Sequence, residues 1–114
     1  MVDIAELVGE RLMIGLPGPT LGQADIALFR ETHASGLILY RRNFASPAQL
    51  IRLISGLEEA LGRRLLVATD HEGGRVIMLG SGVTIFPDNL AVGTAGDDRS
   101  VTVEWSGHVP PCEP

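Results

Sequence analysis

Apolar positions fall in short unbroken runs separated by stretches of helical period. Leu12-Met13-Ile14-Gly15-Leu16 is the first run, stopped by Pro17-Gly18-Pro19. Leu37-Ile38-Leu39-Tyr40 is the second, and Leu65 to Thr69 the third. Runs this short, bounded by glycine and proline, predict buried strands. Between the first two, Leu21 to His33 sets Leu21, Ala24 and Leu28 on one side, with Phe29 and Thr32 beside them. That period predicts a helix, with Gly36 expected as its left-handed terminator. Ser46-Pro47 supplies an N-cap followed by proline at the first helical position. Leu50, Leu53, Ile54, Leu57, Ala60 and Leu61 then predict a helix over 47–61, ended by Gly62. Gly56 inside it costs about 0.5–1 kcal/mol against alanine, which points to close packing there. A short amphipathic helix is expected over Val2 to Glu10, with Ile4, Leu7 and Val8 on one face.

The order is strand, helix, strand, helix, strand, and all three strands read as apolar on both faces. That pattern belongs to parallel strands covered by helices and joined by right-handed crossovers. Two folds compete, an open doubly wound sheet and a β/α barrel. In both, chemistry collects at the C-terminal ends of the strands. Pro17-Gly18, Arg41-Arg42-Asn43 and Asp70 to Arg75 lie at such ends. Near Asp98 the texture changes: RSVTVEWSGHVPPCEP holds the chain's one Trp and one Cys, and three of its last five residues are proline. The regular unit is therefore set at 1–98 and an irregular tail at 99–114. The tail is either an exposed C-terminal segment or foreign sequence from a shifted reading frame.

Composition narrows the function classes. At 45% hydrophobic and 20% charged, the chain is globular in type. A net charge of −5 argues against a non-specific nucleic-acid binder, which needs a basic stripe, and against docking on anionic lipid. No apolar run approaches the roughly 20 residues that span a bilayer. The opening MVDIAELVGE is acidic, unlike a secretory signal, so a cytoplasmic location is expected. With Cys112 alone, no internal disulfide forms, and no zinc-ligand spacing is present, so no metal or other cofactor is expected.

The densest chemistry is in LLVATDHEGGRV, Leu65 to Val76. Asp70 and Glu72 are two apart and point the same way on an extended segment. They could be a glycosidase carboxylate pair. Equally, Asp70 could cap the turn while Glu72 accepts backbone N–H groups in the glycine bend. His71 lacks an evident partner that would make it a base or ligand. Gly73 and Gly74 permit close backbone approach, but the Lys-Ser/Thr of a phosphate loop is missing. The planar fork of Arg75 suits a hydroxyl or carboxylate on a ligand, or a pairing with Asp70 or Glu72 that fixes the loop. His33 reads as a surface residue near a helix end.

Taken together, GLILYRRNFASPAQL (Gly36 to Leu50), DHEGGRV (Asp70 to Val76) and FPDNLAVGTAGD (Phe86 to Asp97) resemble the N-terminal domain of glycoside hydrolase family 3. RLMIGLPG (Arg11 to Gly18) fits that family's opening strand. Within the family, the resemblance is to bacterial β-N-acetylhexosaminidases, which act on N-acetylglucosamine-containing cell-wall fragments. It covers about residues 5–98, with the motifs in order and compatibly spaced. It implies a parallel β/α (TIM-type) barrel, of which this chain carries about three β/α units, and retaining chemistry through a covalent glycosyl-enzyme intermediate with no metal. Asp70 matches the aspartate that binds hydroxyls of the terminal sugar, which makes it a substrate clamp and not the nucleophile. Arg75 matches the motif's arginine, orienting the neighbouring acids, and Glu72, Gly73 and Gly74 match the elements that shape the loop.

Two positions depart from the family pattern. His71 stands where glutamine is usual. Met78 stands where the hexosaminidases commonly carry a second sugar-binding arginine, and a thioether cannot replace its hydrogen bonds. The family's Lys-His contact, its histidine acid/base and its nucleophilic aspartate come after the matched region. No catalytic residue is therefore assigned in this chain, which alone is expected to be inactive. The expected partner is carbohydrate, an N-acetylglucosamine-containing glycan or muropeptide, with no nucleic acid and no membrane. Open sheet edges lead to an expectation of self-association. The rival from another class is a short non-catalytic sugar-binding or structural α/β module. A doubly wound nucleotide-binding domain is disfavoured, because Leu16-Pro17-Gly18-Pro19 offers too few N–H groups for a pyrophosphate.

Overall fold

The three apolar runs pair as one parallel sheet, β1 (Met13–Gly15), β2 (Gly36–Leu39) and β3 (Leu66–Thr69), in the order β1-β2-β3. This computed structural model describes Met1 and residues 3–96, so the expected tail over 99–114 lies outside the described residues. The ladder pairs Met13 with Gly36 and Gly15 with Ile38, then Gly36 with Leu66 and Leu39 with Thr69. Helix α1 (Ile4–Gly9) precedes β1, α2 (Gln23–Thr32) joins β1 to β2, and α3 (Pro47–Leu61) joins β2 to β3. A seven-residue helix, α4 (Asn89–Ala95), closes the described chain.

Alternation along the strands gives the sheet two unlike faces. Leu16, Leu37, Leu39 and Leu65 turn to one side and are buried with Ile26 and Phe29 of α2 and Leu50, Leu53 and Leu57 of α3. This is the core, and both crossover helices lie on it. The opposite face carries Met13, Ile38 and Leu66, none of which belongs to that core, and Leu66 is 69% exposed. Sequential strand order with both helices on one face is how a β/α barrel winds; a doubly wound sheet reverses direction and uses both faces. Among the described residues, three strands leave the sheet unclosed, with β1 and β3 as its edges.

Local chemistry explains the helix ends. Ser46 Oγ accepts from the Gln49 N–H at 3.1 Å, Pro47 opens α3, and Gly62 ends it in the left-handed region at φ 69°. At the start of α2, the Gly22 N–H donates to Asp25 Oδ2 at 2.8 Å. The expected terminator of α2 is corrected: His33, at φ 55°, takes the left-handed position, and Gly36 is the first residue of β2. Glycine is needed at 36 for space, since a Cβ there would lie 2.9 Å from the Met13 side chain. His33 is half-buried at the cap, at the helix end where the sequence places it. Gly56 is also not a close approach, because an added Cβ would sit 3.7 Å from Leu21, an ordinary contact. The apolar face expected on the first helix is exposed at Ile4, Leu7 and Val8; the helix instead docks through buried Gly9 against Thr32 and His33.

Candidate functional site

The three strand ends carry the polar residues, and one buried side chain ties two of them together. After β2 the chain turns through a single 3-10 turn, Arg41–Asn43. Asn43 is fully buried. Its Nδ2 donates to the carbonyls of Leu16, at 3.0 Å, and Gly18, at 2.9 Å, and its Oδ1 accepts from the Tyr40 N–H at 2.8 Å. Every polar atom of the amide is thus satisfied, which is what allows an Asn inside the fold. Gln49 of α3 reaches back to the carbonyls of Pro19 and Asn43. Arg42 donates through Nε to the Leu16 carbonyl at 2.9 Å and lies over the Tyr40 ring, 4.6 Å from its centroid. Arg41 binds the Ile77 carbonyl through Nε and Nη2, at 3.0 and 2.7 Å, fastening the loop after β3 to the end of β2.

Asp70 follows directly on β3 and is exposed, as are Glu72 and Arg75. Neither carboxylate serves the turn. Among the described residues, the one ion pair joins Arg64 to Glu58, and the side chains of Asp70, Glu72 and Arg75 make neither an ion pair nor a hydrogen bond. The bend is held by backbone instead: Val76 N–H donates to the Gly73 carbonyl at 3.0 Å, and Gly74 N–H to the Phe86 carbonyl at 3.2 Å. Gly73 and Gly74 have φ of 82° and 54°, where an L side chain is strained. They also press on the returning chain. A Cβ on Gly73 would fall 2.5 Å from the Pro87 carbonyl oxygen, and one on Gly74 2.6 Å from an Asp88 carboxylate oxygen. Asp88 itself caps α4, accepting from the Ala91 N–H at 2.8 Å. The diglycine therefore seats DHEGGRV on FPDN and leaves the acidic side chains facing solvent.

His71 sits differently. Its ring lies between the Leu79 N–H, toward Nδ1, and the Thr84 carbonyl, toward Nε2, each at 3.4 Å. It lines a cleft of about 610 Å³ beside the free edge of β3, with Val67, Thr69, Leu79, Thr84 and Phe86. Met78 lies apart from it, in a second hollow with Arg41 and Phe44. Among the described residues no three His, Cys, Asp or Glu side chains gather as metal ligands. Among the described residues, too, no helix is long and apolar enough to cross a membrane. Sequence reasoning placed Asp70 and Arg42 at strand ends but missed the structural part of Asn43. Its signal was an amide placed directly after the apolar run Leu37 to Tyr40 and two arginines, before the Ser46-Pro47 cap.

Singly wound parallel strands with polar groups collected at their C-terminal ends follow the winding of a β/α barrel, of which the described residues form three strands. Residues 5–107 match the sequence model described as the glycosyl hydrolase family 3 N terminal domain, and the chain belongs to that family. It is 40% identical over 82 residues to a beta-hexosaminidase of Xylella fastidiosa strain 9a5c, covering 72% of this chain and 24% of that protein. A beta-hexosaminidase of Idiomarina loihiensis is 43% identical over 77 residues, 68% of this chain and 23% of its own. A family 3 beta-N-acetylglucosaminidase from Paenibacillus sp. str. FPU-7 superposes with a TM-score of 0.79 at 36% identity, over 88% of this chain and 20% of that one. NagZ from Neisseria gonorrhoeae in complex with N-trifluoroacetyl-D-glucosamine gives 0.68 at 29%, over 81% of this chain and 27% of that one. The chain spans about a quarter of the length of these relatives.

Proposed function

We propose that this chain is the opening part of a retaining β-N-acetylhexosaminidase barrel and supplies one wall of its sugar site. The parent reaction is hydrolysis of a terminal β-linked N-acetylglucosamine, in carbohydrate turnover or recycling of cell-wall muropeptides in the cytoplasm. Asp70 is the residue that grips the sugar. The observation that carries this reading is its carboxylate, exposed at the mouth of β3 and unpaired among the described residues. A carboxylate accepts from two sugar hydroxyls, and charge assistance makes such bonds about twice as strong as neutral ones. Arg75, equally unpaired, is left free to meet the same ligand.

Hydrolysis of this kind needs a nucleophile and an acid/base in register. The described strand ends offer Asp70 and Glu72 on one loop, and no second carboxylate from another strand faces them across a substrate's width. The isolated 114-residue chain is therefore expected to be inactive. The test is release of the aryl group from an aryl N-acetylglucosaminide by purified chain. A rate that survives purification and disappears in Asp70→Ala overturns the inactivity. Titration with N-acetylglucosamine, followed by NMR, tests the clamp: shifts at Asp70 that vanish in Asp70→Asn support it, and unshifted spectra sink it.

One observation favours a second reading, a short non-catalytic sugar-binding or structural module. The described residues include a helix-side core, with Leu37 and Leu39 buried against Phe29 of α2 and Leu53 and Leu57 of α3. Translating the other reading frames of the gene beyond the Asp98 codon separates the two. Resumed strand–helix repeats with a later strand-end aspartate favour the broken enzyme, and their absence favours the module.

A further inference from the structure

Gly15 is a vacancy filled by its neighbours. A Cβ there would lie 3.3 Å from Arg42 Nη2 and 3.4 Å from Tyr40 Cε2. Gly15 pairs with Ile38, on the face that α2 and α3 leave uncovered. The Tyr40 ring and the Arg42 guanidinium therefore lie over that open face, at the strand ends. The guanidinium is held from two sides, by the ring 4.6 Å below it and by its Nε bond to Leu16. Tyr40 follows Leu39 as Asp70 follows Thr69, and Leu39 and Thr69 are register partners. Adjacent strands lie about 4.8 Å apart, so Tyr40 stands one strand spacing from Asp70, and the guanidinium, over Gly15 of β1, about two, within the reach of a single glycan.

With Nε committed, Arg42 keeps two terminal nitrogens as a planar pair of donors. The residue is exposed, and among the described residues no carboxylate pairs with it. Such a fork matches a carboxylate with two parallel bonds, which a lysine ammonium cannot do. The strand ends thus carry a fixed cation on the β1–β2 side, and at β3 a loop with exposed Asp70 and Glu72 and a single cation, Arg75. Asp70 repels an acidic group and accepts hydroxyls; Arg42 does the reverse.

We propose that the Tyr40–Arg42 shelf is a second subsite, which takes a carboxylate on the same glycan whose hydroxyls Asp70 holds. This rests on the reading of Asp70 as a sugar clamp. It makes Arg42 a specificity-determining residue that orients an acidic glycan across the strand ends.

The test titrates the intact chain with three probes: N-acetylglucosamine, N-acetylglucosamine bearing a 3-O-lactyl carboxylate, and the methyl ester of that acid. The ester keeps the shape and loses the charge. The acid is expected to bind about three- to fivefold tighter than its ester, as a solvent-exposed charged pair allows. It should also shift the Arg42 Nε–Hε resonance. The preference should fall to about one in Arg42→Gln, survive in Arg42→Lys only in part, and vanish at 1 M salt, where the Debye length is about 3 Å. The salt series needs no variant, so it decides even where Arg42→Gln fails to fold. Equal binding of acid and ester, or a preference that outlasts both salt and Arg42→Gln, overturns the subsite. Binding of the acid at Arg42 without any response of Asp70 to N-acetylglucosamine upholds the subsite and refutes the clamp. Silence from all three probes refutes both.

Discussion

Replacing Asn43 by alanine tests how the strand ends are held. The side chain makes three hydrogen bonds, two to the β1 loop at Leu16 and Gly18 and one from the Tyr40 N–H. Each is worth about 0.5–1.5 kcal/mol net, and a buried donor left without a partner adds about 1–3 kcal/mol. The Leu16 carbonyl keeps Arg42 as a partner, so the Tyr40 N–H and the Gly18 carbonyl are the groups that alanine orphans. The expected loss is about 3–4 kcal/mol, a large share of the roughly 5–15 kcal/mol that holds a domain of this size. Urea unfolding followed by circular dichroism reads it. With a slope of about 1.5 kcal/mol/M, the midpoint drops by about 2 M. Asn43→Asp is the control: it keeps the acceptor for Tyr40 but turns an anionic oxygen onto two carbonyls, so it should be no better than alanine. A midpoint within about 0.5 M of the unchanged chain for alanine, or an Asp variant of full stability, would refute the reasoning.

Four further outcomes are expected. Phe29→Ala removes a fully buried ring from between sheet and helices and should cost about 3–5 kcal/mol, checked by the same unfolding curves. Ser46→Ala deletes the α3 cap and should cost about 1 kcal/mol, with amide exchange rising first at Gln49. Asp70→Asn should leave stability within about 0.5 kcal/mol, since its carboxylate has no partner to lose among the described residues, while abolishing the N-acetylglucosamine response. Leu66→Lys places a charge on the free β3 edge, and sedimentation should then show less self-association than the unchanged chain gives at equal concentration.

The fold was legible where one residue type admits one role. Ser46-Pro47 and Gly62 bracketed α3 because capping oxygen, fixed proline φ and left-handed glycine each act locally. The three strands were legible as apolar runs. What pattern alone could not give was sidedness: a strand apolar on both faces looks the same whether helices cover one face or two. The end of α2 was misread because His33 can itself adopt the left-handed conformation, which left Gly36 to serve β2. Helix α4 was not anticipated, its cap at Asp88 being hidden inside FPDN, a stretch that reads as a turn. At the site, Asp70 was legible from its place at a strand end. Its freedom from the turn was not, because that depends on Gly74 bonding to Phe86, a contact between segments distant in sequence.

The one-sided burial of the sheet has a consequence for how such a chain can change. Residues that keep it folded look toward α2 and α3, and residues that would meet a ligand look the other way, the two sets meeting at the Leu16 carbonyl. A substitution at Tyr40, Arg42 or Asp70 can therefore alter what is recognised without loosening the packing around Phe29 and Leu57. Asn43 is the exception, since it stands at the seam and answers to both sides. Variation in specificity should be cheap at the exposed side chains of the open face and costly at that amide.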